Sequence, residues 1–170
     1  MSECVKVLRD ELPYNLHIFV NSVEFIAKVI DTLKLAPEAV KVVCSTSGES
    51  RQENQRKLGN AYPIGQPSDP AKKINFYTST CFEGCDIFDP DGVTFIVSDG
   101  RKAHTLLDIS TLFTQICGRI RDSRYKTQIV HVYSTTKYSK AVTLDEFVAA
   151  TQRTLADAEK FASDINAVDE

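Results

Sequence analysis

The stretch that decides the fold is Leu16-His-Ile-Phe-Val-Asn-Ser-Val-Glu24, a largely apolar run that passes directly into a polar cap. A continuous apolar run of this length is typical of a strand buried on both faces of a parallel sheet. Asn21, with Glu24 three positions on, predicts the capped start of a helix. Apolar residues at helical spacing then continue to Leu33. A buried strand followed by an amphipathic helix is the repeating unit of an α/β domain.

The same pattern recurs along the chain. Four further strands are predicted, at Val40–Cys44, Ile74–Tyr77, Val93–Val97 and Thr127–Tyr133. Further helices are predicted through Cys4–Leu8, from a capping box at Ser50 and Glu53 to about Leu58, from an N-cap at Asp108 to about Ile120, and from a capping box at Thr143 and Glu146 to about residue 166. Strands alternating with helices predict a mostly parallel sheet covered on both faces.

We therefore expect one α/β domain over residues 1–170, with its core at about 12–135 and a long C-terminal helix at about 143–166. His17 and His131 stand inside apolar strands, so both are expected to line the core or to be partly buried. A chain of 170 residues can bury such a core.

Composition is that of an ordinary globular protein, with 42% apolar and 25% charged residues. The net charge of −3 gives no overall sign of nucleic-acid binding, but charge is uneven along the chain. Residues 99–126 hold six Lys/Arg against three Asp, and residues 143–170 hold two against seven acidic residues. A basic patch beside an acidic segment is therefore possible.

Sequence features also indicate the compartment. No stretch resembles a transmembrane span or a secretory signal. Five cysteines are an odd number and stand mostly in apolar runs, which indicates reduced thiols in an intracellular protein. Cys81, Cys85 and His104 lack a fourth ligand at a sensible spacing, so no metal site is expected.

Polar segments directly follow four of the predicted strands: Asn21-Ser22, Ser45–Ser50, Thr78–Asp86 and Ser98–Lys102. The carboxyl ends of parallel strands meet at one edge of a sheet, where α/β domains bind their ligands. These segments are therefore expected to form one site.

The helix predicted from Asp108 carries Gln115-x-x-Gly118-Arg119-x-Arg121. At about 100° per residue, Gln115, Gly118 and Arg119 share one face. An apolar stripe occupies the other face, formed by Ile109, Leu112, Phe113, Ile116 and Ile120. An amide, a position without a side chain and a guanidinium together suit a phosphate. The alternative is a solvated helix face with two arginines.

Taken in order, these segments resemble the motifs of superfamily 2 helicases. Leu16–Ser22 is similar to motif IV, Ser45–Arg56 to the loop and short helix that follow it, Thr78–Ile87 to motif V, and Gln115–Arg121 to motif VI. The resemblance covers about residues 12–135, a whole second RecA-like domain with a three-layer fold. The Gly-Arg-Ile-Arg form is closer to viral origin-binding replication helicases than to DEAD-box proteins.

The resemblance implies roles for individual residues. Gly84, Asp86 and Gly118 would lie near a nucleotide, with Asp86 towards the ribose. Arg119 would be the arginine finger, and Gln115 would connect the γ-phosphate to the domain interface. The remaining candidates would face a nucleic-acid backbone: Asn21, Ser22, Ser45, Thr46, Thr78 and Thr80.

Two positions depart from the common pattern. In many families the second arginine lies three positions after the first, whereas Arg121 lies two after Arg119. Either the helix ends near Ile120 and turns Arg121 inward, or only Arg119 meets the phosphate. Glu83 stands where DEAD-box proteins often have arginine, so the local arginine–acid pairing of that family is not expected here.

No Gly-x-x-x-x-Gly-Lys-[Ser/Thr] stretch occurs, and no Asp-Glu pair ends an apolar strand. ATP with Mg²⁺ would therefore be bound mainly by an N-terminal RecA-like domain, and this chain is expected to be inactive alone. The expected partners are that domain and DNA, with RNA not excluded, and no membrane. The alternatives are a non-catalytic RecA-like module that binds protein or nucleic acid, and an unrelated nucleotide-binding or flavodoxin-like domain.

Overall fold

The core of the protein is a five-stranded, all-parallel β-sheet in a computed structural model that describes residues 2–134, 143–153 and 156. The strands are β1 (Asn15–Phe19), β2 (Val40–Val43), β3 (Ile74–Tyr77), β4 (Gly92–Asp99) and β5 (Ile129–Ser134). Their order across the sheet is β2-β3-β1-β4-β5. The predicted α/β class with a parallel sheet is confirmed.

Helices follow the strands as the sequence pattern predicts. The α-helices within residues 2–134 are α1 (Ser2–Leu8), α2 (Val23–Leu33), α3 (Glu49–Leu58) and α4 (Thr114–Cys117). A π-helical turn at Ile109–Phe113 leads directly into α4. Short 3₁₀ turns occur at Pro37–Ala39, Ser79–Cys81 and Ala103–Thr105.

The two faces of the sheet pack against different layers of the chain. One face packs against α1, α2 and α3 through buried side chains that include Val7, Ile26, Ile30 and Leu58. The other face packs against the segments that follow β3 and β4, through Cys81, Phe82, Ile87 and Ile116. The result is a three-layer arrangement compatible with a RecA-like domain. Because Val7 is fully buried, the packed core extends into α1, upstream of the expected start near residue 12.

Helix caps differ from the sequence prediction at two of four positions. Ser22, not Asn21, is the N-cap of α2, and its Oγ accepts a hydrogen bond from Phe25 N. Helix α3 begins after Gly48 with no side-chain cap, so the capping box predicted at Ser50 is wrong. Asp108 is confirmed as an N-cap, since its carboxylate accepts from Thr111 N.

The two histidines of the strands have different surroundings. His17 is fully buried, as predicted. His131 lies on β5, an edge strand of the sheet, and is exposed, so the prediction that it lines the core or is partly buried is wrong. Five of the six residues of β5 are exposed, so a position inside the apolar run of this strand does not imply burial.

Residues Thr135–Glu170 form a unit separate from Met1–Ser134. The capping box at Thr143 and Glu146 is confirmed, with Thr143 N donating to Glu146 Oε2 at 2.8 Å, and residues 144–153 are helical. The rest of the helix predicted to about residue 166 falls outside the described residues. Among those described, no helix is long and apolar enough to cross a membrane.

Candidate functional site

The polar segments that follow the strands meet at the carboxyl edge of the sheet. Asn21, at the end of β1, links two of them. Its Oδ1 accepts from Ser79 N at 3.3 Å, and its Nδ2 donates to His104 O at 2.9 Å. One amide thus holds the loop after β3 and the loop after β4 beside the end of β1, and the predicted gathering of these loops is confirmed.

The segment that resembles motif V leaves β3 through Thr78, whose N–H continues the sheet by donating to Val43 O. A 3₁₀ turn follows, and Cys81 and Phe82 bury their side chains beneath the sheet edge. Gly84 has a φ of +70°, which is a left-handed conformation that favours glycine. A side chain there would meet open space, because no atom lies within 4 Å of the Cβ position.

The segment that resembles motif VI is less helical than predicted. Helix α4 ends at Cys117, not near Ile120, so Gln115, Gly118 and Arg119 do not share the face of a regular helix. Tertiary pairing explains the early end. Ile87 N donates to Arg119 O, and Arg121 N donates to Ile87 O, both at 2.9 Å. This parallel bridge draws residues 119–121 into an extended conformation alongside the end of the motif V segment.

Arg119 binds backbone carbonyls of its own domain. Its Nε donates to Gln115 O at 2.9 Å, and its Nη1 donates to Cys85 O at 3.1 Å. The first bond adds a second donor to a carbonyl in the last turn of α4, which also accepts from Gly118 N at 3.1 Å. The second joins α4 to the loop after β3.

Arg121 forms an ion pair with Asp86, with 2.7 Å between Arg121 Nε and Asp86 Oδ1. About half of each side chain is exposed, at 47% for the arginine and 50% for the aspartate. Position 83 is a glutamate, and the cation that pairs with Asp86 comes from 35 residues further along the chain. The arginine–acid pair is therefore formed between distant segments, with a partner that the sequence pattern did not identify.

The other predicted nucleotide residues lie close to these arginines. Gln115 is partly exposed and uses its carbonyl to hold Arg119. Gly118 is the exposed residue that ends α4. Gly84, Asp86, Gln115, Gly118 and the two arginines are therefore brought together by the bridge between Ile87 and Ile120.

The six candidates for nucleic-acid contacts fall into two groups. The first group is occupied within the domain. The Asn21 amide links two loops, the Ser22 hydroxyl caps α2, and Thr78 is buried, with 5% of its surface exposed. Thr46 and Thr80 are exposed, and Ser45 is partly exposed. The second group has hydroxyl groups that a ligand at the carboxyl edge can reach.

A buried polar network lies near the amino ends of β1 and β4. His17 Nε2 contacts Asp89 Oδ2 at 2.8 Å, and His17 Nδ1 contacts the Tyr77 hydroxyl at 3.1 Å. Asn15 Nδ2 also donates to Asp89 Oδ2, and Asp91 N donates to Asp89 Oδ1. Burial opposes the ionisation of Asp89, but these hydrogen bonds outweigh it and lower its pKa below the usual value.

Sequence reasoning missed this network, although a signal existed. A histidine inside an apolar strand must find a polar partner when buried. Asp89 lies in the polar turn before β4 and supplies that partner. The pair fixes the chain between the motif V segment and β4 against the middle of β1.

Ion pairs neutralise most of the predicted basic patch. Four cations of residues 99–126 have acidic partners: Arg101 with Asp99, Lys102 with Glu24, Arg121 with Asp86, and Arg124 with Asp91. Hydrogen bonds from the Arg101 side chain, from the Ser134 hydroxyl and from the Arg101 backbone hold the pKa of Asp99 well below its usual range. Residues 99–126 therefore carry mixed rather than uniformly positive charge on the surface of the domain.

The cysteines form no disulfide and no metal centre in the described residues. All five thiols are free, and burial raises the pKa of Cys44 to about 11. Within residues 2–134 and 143–153, no group of three or more His, Cys, Asp or Glu side chains is arranged to hold a metal ion.

Fold and site together define a parallel α/β domain in which two arginines lie against the segment that follows β3, one of them paired with an acid. Searches against protein-family models, curated proteins and solved structures found no match for this chain.

Proposed function

We propose that the chain is the second RecA-like domain of an ATP-dependent nucleic-acid helicase or translocase. The observation that carries this proposal is the joining of two distant segments, residues 85–87 and 115–121, by a backbone bridge and two arginine contacts. These are the segments that resemble motifs V and VI. A helicase domain of this kind needs both segments side by side, since both serve one nucleotide.

The donor groups fit the anionic end of a nucleotide. Arg121 carries a half-exposed guanidinium, and the space beside Gly84 is open. A guanidinium offers paired N–H donors that match phosphate oxygens. When bound, ATP with Mg²⁺ would supply the γ-phosphoryl group and its leaving group, and a first RecA-like domain would hold most of both.

The contribution of this chain to the reaction would be electrostatic. Phosphoryl transfer to water spreads negative charge over the oxygens of the transferred group, and a fixed guanidinium stabilises that charge without exchanging a proton. The bridge between Ile87 and Ile120 fixes the backbone that carries both arginines. Fixed donors need little reorganisation during reaction, which is the source of their effect.

The exposed hydroxyl groups at the carboxyl edge of the sheet would contact a nucleic-acid backbone. Ser45, Thr46 and Thr80 follow β2 and β3 and can bond phosphates without reading sequence. We expect Thr46→Ala and Thr80→Ala each to weaken single-strand binding about five-fold, the equivalent of one hydrogen bond of about 1 kcal/mol. Ser68→Ala is the matched control, because that exposed serine lies in the loop that precedes β3.

The proposal is tested with the chain assembled with its first RecA-like domain, whether in one polypeptide or as a second subunit. ATP hydrolysis is measured with and without single-stranded DNA or RNA oligonucleotides. We expect stimulated hydrolysis, and a fall in kcat of about 10³-fold or more when Arg119 and Arg121 are both changed to alanine.

Comparison of the DNA and RNA oligonucleotides identifies the substrate class. Oligonucleotide binding without stimulated hydrolysis would instead support the non-catalytic binding module. If the double variant kept both oligonucleotide binding and hydrolysis, the role given to the two arginines would be refuted.

A further inference from the structure

The two arginines of the site differ in what already occupies their donors. Arg119 uses its Nε–H and one N–H of Nη1 on the carbonyls of Gln115 and Cys85, so that one N–H of Nη1 and the two of Nη2 remain. Both acceptors belong to the same domain and are fixed by secondary structure or by the bridge. A ligand that took these donors would leave the Cys85 carbonyl without its donor, which costs about 1–3 kcal/mol for a buried group. The Gln115 carbonyl would keep the hydrogen bond from Gly118 N.

Arg121 is held by one donor only. Its Nε meets Asp86 Oδ1, and neither Nη atom has a partner within the described residues. The terminal edge of a guanidinium held in this way can still bind a phosphate through two parallel hydrogen bonds. The side chain is half exposed, so the ion pair itself is weak and easily exchanged for a more highly charged anion.

The backbone brings both side chains to the same loop. In an extended segment, residues two positions apart point to the same side. Ile120, between the two arginines, is 4% exposed and points into the core. Arg119 and Arg121 accordingly meet Cys85 and Asp86, which are adjacent in the motif V segment.

We propose that Arg121, oriented by Asp86, is the guanidinium that meets the terminal phosphate of a nucleoside triphosphate, and that Arg119 is a positioning residue. Arg119 fastens the end of α4 to the motif V loop and so fixes the backbone of Arg121. Asp86 serves the arginine rather than a ribose. This inference rests on the proposed function, and it exchanges the roles that the sequence resemblance implies for the two arginines.

The first test uses the chain alone and needs no catalysis. The Nε–Hε groups of Arg119 and Arg121 are followed by ¹H–¹⁵N NMR while tripolyphosphate is added. We expect the Arg121 signal to shift and the Arg119 signal to stay in place, with Arg119 Nε–H also exchanging more slowly with solvent. In Asp86→Asn the Arg121 signal should move before any anion is added. A shift of the Arg119 signal alone would overturn the proposal.

The second test uses the assembly with the first RecA-like domain. Arg121→Ala should lower kcat by about 10³-fold or more, with KM for ATP and thermal stability unchanged. Arg121→Lys should not restore activity, because an ammonium lacks the planar pair of donors. Added guanidinium should partly restore Arg121→Ala, since the vacated position is open to solvent. Arg124→Ala is the matched control, as that exposed arginine pairs with Asp91 outside the site.

Arg119→Ala and Asp86→Asn separate positioning from contact. Arg119→Ala should lower thermal stability, speed the exchange of the Ile87 amide and gain nothing from guanidinium. Asp86→Asn should lower kcat about ten-fold in the wild-type background and have no further effect in Arg121→Ala, as expected for residues that act as one unit.

The outcomes distinguish the two proposals. A wild-type assembly without stimulated ATP hydrolysis would refute the proposed function and this assignment with it. Stimulated hydrolysis that survives Arg121→Ala, but falls 10³-fold in a stable, guanidinium-rescued Arg119→Ala, would refute only the assignment.

Discussion

Removal of the Asp89 carboxylate should strongly destabilise the domain. Asp89 is 4% exposed and accepts hydrogen bonds from His17, Asn15 and the backbone of Asp91. In Asp89→Ala all three donors lose their acceptor. His17 is fully buried, so its unpaired Nε2 carries a full desolvation penalty of about 1–3 kcal/mol. The other two donors are partly exposed and regain some bonding from water. The expected loss of unfolding free energy is therefore about 3–5 kcal/mol.

Urea unfolding followed by far-UV circular dichroism measures this loss. With an m-value of about 2 kcal/mol/M, the midpoint should fall by about 2 M. Asp31→Ala is the matched control, because Asp31 pairs with Lys34 at a position 82% exposed, and its midpoint should scarcely change. A fall of less than about 0.5 M in Asp89→Ala would refute the reasoning.

A double-mutant cycle identifies the interaction that is lost. His17→Phe and Asp89→Ala remove opposite sides of the 2.8 Å contact. If this contact dominates, the double variant should be less destabilised than the sum of the single variants by about 1 kcal/mol or more. Additive effects would instead assign the loss to Asn15 and to the backbone of Asp91.

Three further predictions follow from backbone geometry and titration. Gly92→Ala should destabilise the domain by about 1–3 kcal/mol in the same assay, because its Cβ would lie 2.9 Å from the ring of His17 and 3.2 Å from Ile120. Gly84→Ala should cost about 1 kcal/mol through its φ of +70° alone, with no clash, and Gly84→Asn should cost less. Since the folded-state pKa of Asp89 is lowered, its contribution is complete above the unfolded pKa of about 3.9 and is lost as the pH falls through the folded value. The stability difference between wild type and Asp89→Asn, measured by urea unfolding at each pH, should therefore stay level from pH 7 to about 5 and shrink below about pH 4; a constant difference down to pH 3 would contradict it.

The sequence determined the class of the fold and the edge of the sheet at which the polar loops meet. Apolar runs at Leu16–Val20, Val40–Cys44 and Ile74–Tyr77 are strands within one residue at either end. The polar segments after them gather at one edge for a simple reason. Parallel strands place all their carboxyl ends on the same side, so chain direction alone fixes which loops meet.

The order of the strands in the sheet and the pairing of the loop segments depend on contacts between residues that are distant in sequence. Nothing in the local pattern places β1 at the centre of the sheet, between β3 and β4. The predicted helix through Ile120 failed for a related reason. Helical spacing of apolar residues continues to Ile120, but pairing with Ile87 at 2.9 Å stabilises an extended backbone there instead.

The chemistry of the site shows the same division. The sequence alone identified two arginines, a glycine and an acid as one candidate group, because residue types and their order along the chain are local information. Only the tertiary structure decided that Arg119 is bound to carbonyls and Arg121 to Asp86. Those pairings depend on the position at which α4 ends, and a bridge to a residue more than 30 positions earlier ends it. Local spacing fixes which groups are available, whereas packing of distant segments fixes the direction in which each group points.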